Sequence, residues 1–170
     1  MAQSLWINGG ANVVPIFHDP SGGFYVGIAK DLSARNNFIF RPALLYSWYS
    51  YSYRNLYGSI SRYSIHNIQL PMSFRFDVGK WGGVGFGPQF SVIPNATGKY
   101  RQDPSRAITS SMPVVNLSAF VGPYFRVSPR LTIEVRAMLD AQVFDRIRWE
   151  WQYLVIQSGV SWLITKPAEG

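Results

Sequence analysis

Along most of this chain, bulky apolar side chains alternate with small or polar ones at a period of two. That period admits strands and excludes amphipathic helices. The segment Phe24-Tyr25-Val26-Gly27-Ile28-Ala29 alternates bulky and small residues. In Phe40 to Trp48, one face is Phe40, Leu44, Tyr46 and Trp48, and the other is Arg41, Ala43, Leu45 and Ser47. Further on, Ile68, Leu70, Met72, Phe74 and Phe76 oppose Asn67, Gln69, Ser73 and Arg75. Val84, Phe86, Phe90 and Val92 oppose Gly83, Gly85, Gly87, Gln89 and Ser91.

Eight such segments are expected, at about 4–16, 23–30, 37–53, 63–77, 81–93, 113–127, 130–141 and 149–164. The connections after the second, fourth and sixth are short: Asp31 to Asn36, Gly79-Lys80 and Ser128-Pro129. Those after the third and fifth are longer and polar, above all Pro94 to Met112, while the first, around Asp19 to Gly23, is modest. Short turns at one end and longer loops at the other are the pattern of outer-membrane barrels. The expected fold is therefore one all-β domain over residues 1–170, an eight-stranded antiparallel up-and-down transmembrane β-barrel, with a disordered tail at 166–170.

Composition agrees. Of 170 residues, 47% are hydrophobic and only 15% charged, against roughly 25% charged in a soluble domain. No stretch approaches the roughly 20 consecutive apolar residues of a membrane helix, so a closed barrel is the remaining way to satisfy the backbone in lipid. The net charge of +7 is scattered, without the basic runs of nucleic-acid binders. There is no cysteine, hence no disulfide, thiolate metal site or cysteine nucleophile. No metal or cofactor is expected. The opening Met-Ala-Gln-Ser-Leu-Trp lacks a basic region and an apolar core. An exported protein would thus be represented by its mature chain, with Met1 an added start and Ala2-Gln3 left by signal-peptide removal. No periplasmic domain that could tether the barrel to peptidoglycan is visible.

A soluble ligand-carrying barrel also alternates, with its apolar face inward. Side-chain volume decides between the two, because eight strands enclose a bore only just filled by side chains. The apolar face is crowded with Phe, Trp, Tyr, Leu and Ile, whereas the other is rich in Gly, Ser, Ala, Asn and Gln. The smaller set fits the lumen. Its polar network is expected to be Arg41, Gln69, Arg75, Gln89, Arg126, Glu134, Arg136, Asp140 and Gln157. Arginine forks beside carboxylates suit a closed interior, where one guanidinium satisfies several acceptors. Facing lipid are expected Phe40, Leu44, Tyr46, Trp48, Leu70, Phe74, Phe76, Phe86, Phe90, Leu117, Val121, Phe125, Ile133, Val135, Ile156 and Val160. Trp6, Tyr25, Trp48, Tyr51, Trp81, Trp149, Trp151 and Trp162 fall near strand ends or their flanks, as interfacial girdles require.

Pieces of the chain also form a recognisable series: Ile7-Asn8-Gly9-Gly10-Ala11-Asn12, Phe40-Arg41-Pro42-Ala43-Leu44-Leu45-Tyr46, Ile68-Gln69-Leu70-Pro71-Met72 and Gly85-Phe86-Gly87-Pro88-Gln89-Phe90. In this order and spacing the chain resembles the PorT-like outer-membrane β-barrel proteins of Bacteroidetes-type bacteria, over nearly its whole length. The chain departs from that family at Ala43, where the family usually carries a glutamate. The resemblance implies an outer-membrane location and an eight-stranded barrel. It implies no single activity, because members include components linked to type IX secretion and barrels of other roles.

The residues themselves offer little catalysis. Ser64 and His66 share the apolar-face parity near the loop end of the fourth strand, a pair that with an acid would suit a lipid A hydrolase. No Asp or Glu is expected on neighbouring strands at that depth. His18 sits in a loop beside Asp19. Gly83, Gly85 and Gly87 lack the Lys-Ser/Thr of a phosphate loop and instead make room for large lumen neighbours such as Phe120, Tyr124 or Arg136. An arginine-rich bore of eight strands leaves little room for a small-solute pore. Basic residues at the outer rim, Arg54 and Arg62 in one long loop and Lys99, Arg101 and Arg106 in the next, are placed to meet lipopolysaccharide phosphates or an acidic partner. The expected role is a non-enzymatic barrel, structural or accessory to a larger envelope assembly. Its expected partners are outer-membrane lipid and other outer-membrane or periplasmic proteins.

Overall fold

In a computed structural model, residues 4–15, 21–35, 37–54, 60–100, 106–107, 115–141 and 154–165 are described. The period-two segments become the strands β1 (Ser4–Val14), β2 (Ser21–Asp31), β3 (Ser33–Arg35), β4 (Phe38–Arg54), β5 (Ile60–Gly79), β6 (Gly82–Tyr100), β7 (Arg106–Ala107), β8 (Val115–Ser128), β9 (Leu131–Ala141) and β10 (Leu154–Thr165). Every neighbouring pair is antiparallel, and β1 pairs with both β2 and β10, which closes the sheet. The second stave is split in two. β2 and β3 both pair with β4, separated only at Leu32, whose N–H still donates to the Phe40 carbonyl at 3.0 Å. β7 is a two-residue addition to β6. The result is a closed eight-stranded up-and-down barrel without helices among the described residues.

Strand boundaries differ from the sequence expectation at three connections. Ser33–Arg35, expected within a turn, instead continue the ladder against Phe38–Phe40. Residues 60–62 and 94–100, expected in loops, are paired strand. β5 starts at Ile60 and β6 runs to Tyr100, paired from Ser61↔Tyr100 downwards. Backbone pairing needs no apolar face, so a hairpin can continue into water after its hydrophobic alternation has ended. At 20 and 19 residues, β5 and β6 run far past the 11 of β1 and past the roughly 9–11 that cross a bilayer. The expected tail at 166–170 and segment 149–153 lie outside the described residues.

Prolines inside strands fall where the ladder skips. Pairing is interrupted between Pro71↔Gln89 and Phe74↔Phe86, beside Pro88, and between Val121↔Ala137 and Tyr124↔Glu134, beside Pro123. A residue with no N–H is tolerated there. Gly82, at φ 150°, takes up the reversal after the Lys80-Trp81 turn.

The alternation separates two environments. On β8, residues from Val115 to Ser118 alternate exposed and buried, and the pattern continues to Phe125 with Gly122 half-buried. Outward stand Ile7, Val26, Ile28, Leu44, Val84, Val121, Phe125, Val160 and many others, all large and exposed. Inward stand mostly polar or charged side chains between two apolar clusters. Trp6, Tyr25, Ala29, Ala43, Leu45 and Leu163 form one, weighted toward the short-turn end, and Tyr49, Ile65, Ile93, Ala96, Phe120, Met138 and Val155 form the other, toward the long connections.

Candidate functional site: a filled lumen and its outer wall

The charged part of the lumen is organised by three carboxylates. At the short-turn end Asp31 accepts from both Nε and Nη2 of Arg41, the latter at 2.9 Å, and from Trp6 Nε1 at 2.9 Å. The Arg41 guanidinium also lies 4.3 Å over the Trp6 ring, inside cation–π range. Beside it, Asp77 receives Arg126 Nη2 at 2.6 and 2.7 Å and the Tyr124 hydroxyl. Deeper in, Glu134 bridges two arginines, taking Arg75 on Oε2 and Arg136 on Oε1. All three of these side chains are buried. Aromatic faces complete the shell, with Arg75 4.9 Å over Tyr124 and Arg136 5.4 Å over Phe120. Each guanidinium thus meets an anion and a π-face, which offsets the cost of taking it from water.

Toward the long connections the described lumen side chains are neutral. Gln157 Nε2 donates to Gln69 Oε1 at 3.4 Å, Asn12 Nδ2 to Ser47 Oγ at 2.8 Å, and Ser118 Oγ to the Gln89 carbonyl at 3.3 Å. Space is made by glycine at particular points. A Cβ on Gly10 or Gly159 would run into the Tyr25 ring, which therefore lies across the β1–β10 seam. A Cβ on Gly83 would meet the Tyr124 hydroxyl, and one on Gly87 would touch Phe120 at 3.6 Å. A void among Ser73, Arg75, Gly85, Phe120, Tyr124, Glu134 and Arg136 measures only about 10 Å³, room for roughly one water.

Of the residues singled out by sequence, Arg41, Gln69, Arg75, Gln89, Glu134, Arg136 and Gln157 are buried on the inner face, and Arg126 is half-buried at the short-turn mouth. The Asp140 side chain lies outside the described residues. On the outer face, Leu44, Tyr46, Leu70, Phe76, Phe86, Phe90, Leu117, Val121, Phe125, Ile133, Val135, Ile156 and Val160 are exposed, while Phe40, Trp48 and Phe74 are partly covered by neighbours. Phe74 is stacked against Phe38 and Phe40, with ring centroids 5.8 and 5.1 Å apart.

Two girdle assignments are corrected. Trp6 and Tyr25 are 8% and 1% exposed and point into the lumen. Trp6 shares its parity with the buried Asn8 and Asn12, a signal that the sequence carried. Trp81 and Trp162 do face outward, whereas Trp149 and Trp151 lie outside the described residues. Sequence reasoning also passed over Asp31 and Asp77, the anions that hold Arg41 and Arg126. Ala43 packs in the apolar cluster.

On the outer wall, Ser64 and His66 are not paired with each other. Trp48 Nε1 donates to Ser64 Oγ at 2.8 Å, and the Tyr46 hydroxyl meets His66 Nδ1 at 2.6 Å. No acid joins them among the described residues, and no group of His, Cys, Asp and Glu there is arranged to hold a metal. Arg62 and Lys99 are exposed on strands, not in loops, while Arg101 and the side chains of Arg54 and Arg106 lie outside the described residues.

No protein-family model matches the sequence, and no curated protein matches it. Among solved structures, the chain is similar to Ail, the attachment invasion locus protein of Yersinia pestis, with TM-score 0.51 and 11% identity over 96% of this chain and 98% of that one. A second structure of Ail, in complex with the heparin analogue sucrose octasulfate, matches at TM-score 0.51 and 12% identity over 96% and 98% of the two chains. Neisserial surface protein A matches at TM-score 0.53 and 11% identity, over 96% of this chain and 99% of that one. At such identities the likeness is one of fold: this chain has the closed eight-stranded barrel architecture of outer-membrane proteins.

Proposed function

We propose that the chain is an integral outer-membrane barrel, exported and freed of its signal peptide, that acts without catalysis as a structural or accessory subunit of a larger envelope assembly. The observation that carries this reading is the filled lumen inside an apolar outer wall. Glu134 with Arg75 and Arg136 occupies the interior, Tyr49, Ile65, Ile93, Met138 and Val155 pack across the bore toward the long connections, and Arg41, Asp31 and Trp6 close the short-turn end. Among the described residues such a barrel offers solutes no open bore and a substrate no cleft, which leaves its wall and its rims as working surfaces.

The PorT-like resemblance makes secretion or transport assemblies of Bacteroidetes-type envelopes the natural setting. The partners in this reading are lipopolysaccharide and neighbouring outer-membrane or periplasmic proteins. Nucleic acid has no place in it. Ser64 and His66 each brace the wall separately in this reading, since Trp48 engages one and Tyr46 the other. Copurification in mild detergent followed by mass spectrometry tests the assignment: stoichiometric envelope partners are expected, and a lone monodisperse barrel would contradict it.

A further inference from the structure

On the outer face of β4, β5 and β6, cross-strand register stacks four rows of distinct chemistry. The row Tyr46–Ile68–Val92 is apolar apart from the tyrosine hydroxyl, and Leu70 and Phe90 continue it toward the short turns. Next comes Trp48–His66–Asn95, then Ser50–Ser64–Thr97, then Ser52–Arg62–Lys99. Moving toward the long connections, the wall passes from hydrocarbon through aromatic and imidazole groups to hydroxyls and finally to cations.

Arg62 and Lys99 are direct Cα partners and both are exposed. Like charges directly opposite each other destabilise a strand pair. Among the described residues neither has a carboxylate within ion-pair distance. An anion between them removes the repulsion, and a guanidinium fork with an ammonium suits a tetrahedral oxyanion. Because the cations continue a wall that begins as apolar surface, the anion that fits carries its own hydrocarbon. In outer-membrane barrels the longer connections face outward, where the leaflet holds phosphorylated glycolipid.

We propose that Arg62 and Lys99 form a binding site for the phosphate of an outer-leaflet glycolipid of the lipid A type. The Ser64 and Thr97 hydroxyls lie beneath its sugar, and its acyl chains run down the wall of Ile68, Leu70, Phe90 and Val92. This rests on the membrane reading above and names the lipid that one strip of the wall selects.

The test is native mass spectrometry of the full chain refolded in detergent, titrated with bisphosphorylated lipid A and with the same lipid after phosphate removal. The Arg62→Gln/Lys99→Gln variant is compared with Lys80→Gln/Arg130→Gln, which makes the same charge change at the exposed short turns. Bisphosphorylated lipid A is expected to bind the parent chain and the turn variant alike, and the Arg62/Lys99 variant about tenfold more weakly or worse. Removing the phosphates should erase that difference, and millimolar inorganic phosphate should not displace the lipid.

Equal binding by both variants, equal binding of the dephosphorylated lipid, or displacement by free phosphate overturns the site. Heat-modifiable mobility and vesicle insertion are read in parallel. A chain that inserts but ignores these residues refutes this site alone, whereas one that does not insert refutes the membrane reading and the site together.

Discussion

At the scale of single residues, the interior is held by carboxylates that each serve more than one donor, and Glu134 is the central case. Replacing it by Gln leaves Arg75 and Arg136 buried together without an anion. Breaking a buried pair in this way costs about 3–5 kcal/mol. Glu134→Gln is therefore expected to lower the urea midpoint of the refolded barrel strongly, and returning the cluster to its original net charge with Arg75→Met in the same chain should recover part of the loss by removing the Arg75–Arg136 repulsion. An unchanged midpoint would show that Glu134 does not organise the lumen. The sequence disclosed which arginines and which glutamate point inward, because parity is set locally. It did not disclose that Asp31 belongs to Arg41 or Asp77 to Arg126. The second pair is 49 positions apart and is set by the register of β5, β6 and β8.

At the scale of strands, each face has its own intolerance. Val121 is 53% exposed in the middle of the β8 wall, opposite Phe86 on one side and Ala137 on the other. Val121→Arg should destabilise the membrane-inserted barrel by about 2–4 kcal/mol if that wall faces hydrocarbon. Measured in vesicles, a cost near zero would mean that the wall meets water or protein. At the β1–β10 seam, a Cβ at position 159 would overlap the Tyr25 ring and the Gly9 carbonyl. Gly159→Val should accordingly slow or prevent closure, seen as loss of the compact unheated band on gels, whereas Ser158→Val on the exposed face should not. Strand existence was legible from period two, but strand length was not. The outer ends of β5 and β6, with Ser61, Arg62, Asn95 and Thr97, read as loop in the sequence, yet their backbones remain paired. Trp6 and Tyr25 were misplaced for a related reason: aromatic content suggests an interface, while parity with Asn8 and Asn12 sends Trp6 inward.

At the scale of the whole molecule, the account joins a filled bore to an apolar exterior. A bore packed with Tyr49, Met138, Val155 and the Glu134 cluster should give no stable channels in planar bilayers, and reproducible salt-dependent unit conductances from pure protein would contradict that. The central claim, that the alternation puts lipid outside and packed polar groups inside, has a more direct measurement. The chain has no cysteine, so single cysteines can be introduced one at a time from Val115 to Val127 and spin-labelled in the vesicle-inserted protein. Positions 115, 117, 119, 121, 123 and 125 are exposed in the structure, and 116, 118, 120 and 124 are buried. The exposed set should collide with oxygen dissolved in the bilayer and be shielded from a water-soluble nickel chelate, with period two along the strand. A period-two pattern in which the exposed set instead meets the nickel chelate would make this a water-facing barrel and overturn the account.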